Sequence, residues 1–143
     1  RSGPGLYRTS IDVFANAGHA EEGFGYYLHI EPGNCYAGAA LFQPSKNALK
    51  RVRNRLSEDP SGLQDVVDDP EFKAVFPEGL VTPKELNVVP EGFEASDPAA
   101  AYLKMVGWGC RKTLDDDLLL DDDAIDELIA IFRAAKPLVR FFE

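Results

Sequence analysis

The groups best suited to chemistry are spaced two residues apart near the start of the chain. Arg8, Ser10 and Asp12 form one such set, and Tyr27, His29 and Glu31 form a second; Tyr36 follows after a turn. A two-residue spacing puts side chains on one face of a β-strand. If the strands are neighbours, Arg8, Asp12, Tyr27, His29, Glu31 and Tyr36 make one patch with a cation, carboxylates, an imidazole and two phenols. Such a patch could hold a small anion through Arg8 and the tyrosine hydroxyls, with His29 exchanging a proton near neutral pH. The competing reading is a solvated sheet face whose cross-strand pairs contribute a fraction of a kcal/mol each.

Other chemistries find less support. His19 with Glu21 and Glu22, or His29 with Glu31, offers zinc-type ligands but lacks any metal-site spacing, so no metal or cofactor is expected. Asp115–Asp117 and Asp121–Asp123 lack the alternation, central Gly and distal Glu of a calcium loop; they read as helix N-terminal carboxylates. There is no G-x-S-x-G elbow, P-loop or dinucleotide fingerprint, and Cys35 has no base near it in sequence. Lys46, Lys50, Arg51, Arg53 and Arg55 make one helix basic. Contact with a phosphate, an acidic partner or the domain's own carboxylates is conceivable there. A solvated face is the expected outcome, with Lys50, Arg51 and Arg53 mostly exposed.

The elements that must position these groups follow from periodicity. Residues Tyr7 to Phe14 alternate, with Tyr7, Thr9, Ile11 and Val13 on the apolar side. Phe24 to Glu31 alternates again, with Phe24, Tyr26, Leu28 and Ile30 inward. Pro32-Gly33-Asn34 is turn chemistry, and Cys35 to Gln43 completes a hairpin. After Pro44, Ser45 is an N-cap, and Leu49, Val52 and Leu56 form a helical stripe expected to be buried together. Asp59-Pro60, Asp69-Pro70 and Asp97-Pro98 each predict a short helix start. Glu85 to Val89 and Gly107 to Leu114 predict strands. A last helix is expected from about Asp121 to Ala135, burying Ile125, Leu128, Ile129 and Phe132 and stopping before Pro137. This order predicts a single α+β domain over residues 1–143: a mainly antiparallel sheet that opens with a three-strand meander, with helices on one face.

Composition sets the bounds. The 143 residues are 45% hydrophobic and 27% charged, the profile of a soluble globular domain. The net charge of -9 argues against nucleic acid as a partner, and no apolar run reaches the roughly 20 residues of a membrane helix. Cys35 and Cys110 lie in apolar strands and are expected as buried free thiols, which makes the cytoplasm the expected compartment. The chain opens with Arg1, not Met, so it is expected to be part of a longer one.

Tyr26-Tyr27-Leu28-His29-Ile30-Glu31-Pro32-Gly33, then Gly38 and Phe42-Gln43-Pro44, resembles the family called domain of unknown function 2461. So do Phe132 to Val139 with the closing Phe-Phe, and Pro90-Glu91-Gly92-Phe93 with Asp97-Pro98. Leu6-Tyr7-Arg8-Thr9 is similar to that family's proline-tyrosine-lysine-threonine motif, with Leu6 and Arg8 as departures. The family's helical and basic N-terminal region has only Arg1 to Gly5 in its place here. The resemblance implies the fold and carries over no activity. Two functions follow from the residues: a binding or interaction module for a protein or small anionic ligand, or an enzyme or small-anion binder that uses Arg8, Tyr27 and His29.

Overall fold

The computed structural model describes residues 10–16, 24–41 and 43–142. Four strands, β1 (Ile11–Asn16), β2 (Gly25–Ile30), β3 (Cys35–Leu41) and β4 (Trp108–Leu114), form a sheet in the order β1-β2-β3-β4. Every neighbouring pair is antiparallel. The expected hairpin is present, with Tyr26 opposite Ala39 and His29 opposite Tyr36. Its turn works as the residue types require. Gly33 sits at φ +78°, the Asn34 N–H donates to the Glu31 carbonyl at 2.8 Å, and the Gly33 N–H reaches the Asp116 carboxylate at 2.9 Å.

Between β3 and β4 come α1 (Lys46–Glu58), α2 (Gly62–Asp68), α3 (Pro70–Val75) and α4 (Ala100–Leu103). The Ser45 hydroxyl caps α1 by accepting from the Ala48 N–H at 3.1 Å. Val52 and Leu56 are buried, while Leu49 is half-buried at the edge of the same stripe. The three Asp-Pro pairs behave differently. Asp69 caps α3 through the Glu71 and Phe72 N–H groups, with Pro70 in its first turn. Asp59 instead closes the end of α1, and α2 starts after Ser61 without a side-chain cap. Asp97 accepts from the Ala99 N–H and from Ser57, one turn ahead of α4. The strand expected over Glu85 to Val89 reduces to one bridge between Glu85 and Met105. Val81 pairs instead with Gly109 on the edge of β4.

After β4 come α5 (Asp116–Leu119) and α6 (Ala124–Phe142). Helix α6 does not stop before Pro137 but runs through it. Proline inside a helix costs about 3 kcal/mol through the lost N–H and the ring's clash with the preceding turn. Beyond it, Leu138, Val139, Phe141 and Phe142 are all buried. At roughly 1.5–3 kcal/mol each, these outweigh the proline, whose own ring lies exposed. The buried row is Ile131, Ala135, Leu138 and Phe142, one register beyond the expected one. Leu128 and Phe132 are half-buried, and Ile125 and Ile129 are exposed at 70% and 47%.

Helices and sheet share one core. Ala37 and Ala39 of β3 and Trp108 and Cys110 of β4 are buried beneath Val52, Leu63, Phe72, Leu103 and the α6 row. Of the helices, α6 lies closest to β3, where alanine side chains let a helix approach. Cover fades toward the edge strand. Ile11 and Val13, expected on a half-buried face, are 61% and 53% exposed, because the helical layer is centred on β3 and β1 overhangs it. No helix among the described residues is long and apolar enough to cross a membrane.

Candidate functional site

The register stacks the outer-face side chains into rows across the sheet. Asp12, His29, Tyr36 and Thr113 lie opposite one another on successive strands, and Phe14, Tyr27, Gly38 and Arg111 form the next row. Asp12, Tyr27, His29, Glu31 and Tyr36 are therefore brought together, as the alternation predicts. Arg8 lies outside the described residues, as do His19, Glu21 and Glu22.

His29 is the centre of the first row. Its Nδ1 meets the Asp12 carboxylate, and its Nε2 meets Glu31 Oε1 at 3.2 Å. Glu31 is fixed in turn by the Asn34 side-chain amide at 2.8 Å. With an acceptor on each ring nitrogen, the imidazole is best satisfied as a cation that donates twice. The hydrogen bonds to Asp12 and then Glu31 hold its pKa above the ordinary 6.5. Glu31 is held below its usual range by Asn34 and His29. The His29 side chain is only 14% exposed and its ring stacks on Tyr36, with centroids 4.6 Å apart.

Tyr27 crosses the sheet. It starts opposite Gly38 on β3, and its hydroxyl donates to the Cys110 carbonyl of β4 at 3.2 Å. A side chain at position 38 is excluded, since a Cβ there would lie 2.0 Å from that carbonyl oxygen. Burial, before any neighbouring charge, raises the phenol well above its ordinary value of 10, so Tyr27 stays neutral. Its ring meets Tyr36 edge-on at 5.8 Å.

Sequence reasoning missed two groups. Arg111 places its guanidinium 5.3 Å from the centre of the Tyr36 ring, and no carboxylate among the described residues pairs with it. The alternation in β4 puts Arg111 on the polar side, but nothing in the sequence reveals that β4 pairs with β3. Phe14, half-exposed, is the other. With Asp12, Tyr27, His29 and Tyr36 it lines a cavity of about 250 Å³. Cys35 and Cys110 are buried free thiols, and burial pushes Cys110 up to about 12. On the other side of the molecule, Lys50 and Arg51 are exposed as expected, but Arg53 is half-buried because its guanidinium reaches the Met105 carbonyl.

Neither the curated proteins nor the solved structures include a significant match to this chain. The hairpin that carries Tyr27, His29 and Glu31 lies within the span that matches a known family. The family model described as "Conserved hypothetical protein (DUF2461)" matches residues 3–141, a span holding all four strands and nearly all of α6, and the chain belongs to that family.

Proposed function

We propose that the chain is a single α+β binding domain, and that it takes a small anionic ligand with a flat apolar body on the outer face of the sheet. The ligand-facing residues in this reading are Asp12, Tyr27, His29, Glu31 and Tyr36, with Arg111 as the cation and Phe14 as an apolar wall. Arg8 belongs to the same proposal. The observation that carries it is the double hold on His29 beside a cavity of about 250 Å³. A histidine with a carboxylate on each nitrogen has neither a lone pair to accept a proton nor an uncommitted N–H to donate. That favours a fixed polar wall over general acid–base catalysis. Arg111, which has no carboxylate partner among the described residues, supports an anion as the charged end of the ligand. Two unpaired thiols support a reducing compartment and hence the cytoplasm.

The test is an amide chemical-shift titration with benzoate, with benzyl alcohol as the uncharged control. Benzoate is expected to move amides around positions 12–14, 27–29, 36 and 111, and to bind about tenfold more weakly to Arg111→Gln, the loss of one charge-assisted hydrogen bond. Equal binding of the alcohol, or shifts confined to the helical side, would overturn the reading.

A further inference from the structure

Lys46, Lys50 and Arg53 stand at i, i+4 and i+7 on α1, so they share one face of the helix. That face borders a groove of about 340 Å³, closed on its far side by the turn from Pro90 to Phe93. In a chain with a net charge of -9, each cation would ordinarily find an acid. None of these three has a carboxylate within 4 Å among the described residues. The first turn of α1 also carries no acid, so the positive end of the helix dipole adds to Lys46 instead of being offset.

Arg53 is the most telling of the three. Its Nη2 donates to the Met105 carbonyl at 3.4 Å, which fixes the guanidinium without neutralising it. Its Nε is buried and has no hydrogen-bond acceptor among the described residues. An unsatisfied buried donor is destabilising, the more so when it belongs to a charged group, and desolvation lowers the pKa of this arginine. The fold therefore holds a partly buried cation in place with one donor unanswered. Leu49, Pro90 and Phe93 give the same groove an apolar wall, and Asn54 adds an amide.

We propose that this groove binds a small phosphorylated molecule, its phosphate held by Lys46, Lys50 and Arg53 and its organic body packed on Leu49 and Phe93. Phosphate fits because its oxygens accept from a guanidinium fork and from ammonium groups at once. Glu91 also lines the groove, and its carboxylate opposes the ligand charge. The site lies on α1, apart from the outer sheet face, so the two proposals stand or fall separately.

Amide chemical-shift titrations with phenyl phosphate, inorganic phosphate and phenol distinguish the sources of affinity. Phenyl phosphate is expected to move amides over 46–54 and 90–93 and to bind more tightly than either of the other two. Lys50→Gln, at an exposed position, is expected to weaken it about threefold, as the loss of one screened charge contact would. Arg53→Gln is expected to weaken it about tenfold, and Glu91→Gln to tighten it. Three results would overturn the site: no shifts in these segments, equal affinity for inorganic phosphate, or an affinity unchanged in both Lys50→Gln and Glu91→Gln.

Discussion

At the residue scale the most informative group is His29, because two opposite pH effects meet on it. Its folded pKa lies above 6.5, so the stability it contributes is full below 6.5 and is lost as pH rises through the folded value. Glu31 is held below 4.5, so its contribution is full above 4.5 and is lost as pH falls through its own folded value. The Asp12–His29–Glu31 group therefore contributes most between about pH 4.5 and 6.5. The difference in melting temperature between the native protein and His29→Gln is expected to peak in that window and to shrink on both sides. A difference that grows steadily toward pH 9 would contradict the double hold. The His29 ring protons should also titrate above 6.5 by NMR. The make-up of this group is legible in the sequence, since alternation alone places Tyr27, His29 and Glu31 on one face. Its charge balance is not. That depends on Asp12 standing opposite His29 and on Arg111 arriving from β4 beside Tyr36, both consequences of pairing across the sheet.

At the scale of elements, local signals succeed where one turn of chain decides the outcome and fail where packing overrides it. Ser45 as an N-cap and Pro32-Gly33-Asn34 as a hairpin turn are settled within a few residues, and both are present. Pro137 is the opposite case. Read locally it ends a helix, yet α6 continues for five residues to bury Phe141 and Phe142. The proline thus stands as an unrelieved penalty, which makes it a useful probe. Its ring is exposed, and alanine at 137 would restore an N–H for the Arg133 carbonyl without opening a cavity. Pro137→Ala is expected to stabilise the domain by roughly 2–2.5 kcal/mol, the helix-interior penalty less the unfolded-state entropy that proline removes. Denaturant melts read this as a higher midpoint at unchanged slope. A lower midpoint would mean that the proline itself positions the aromatic end of α6.

At the scale of the whole molecule, the chain is joined where its distant parts meet, and that junction is aromatic. Phe142, in the last turn of α6, lies 5.0 Å from Phe24 at the entry to β2 and 5.7 Å from Trp108 at the start of β4, centroid to centroid. One ring thus contacts residues that flank both ends of the sheet's connectivity: the local β1–β3 meander and the late-arriving β4. This also explains why the expected α6 stripe is out of phase. Periodicity centres the stripe on Ile125, Leu128, Ile129 and Phe132, whereas the cluster around Trp108 draws in the far end of the helix and leaves Ile125 in solvent. Removing the junction should therefore cost far more than removing a residue that looks equally apolar in sequence. Phe142→Ala is expected to destabilise by about 3–5 kcal/mol, a large share of the roughly 5–15 kcal/mol that a domain this size commands. Ile125→Ala should fall within about 0.5 kcal/mol of the native protein. Chemical denaturation of both variants checks the pair. Equal losses would move the centre of the core back toward the start of α6 and away from the sheet. The expected inequality would tie the sheet that carries His29 and Tyr27 to the last residues of the helix, so that loosening α6 frees β4 and with it the Cys110 carbonyl on which Tyr27 rests.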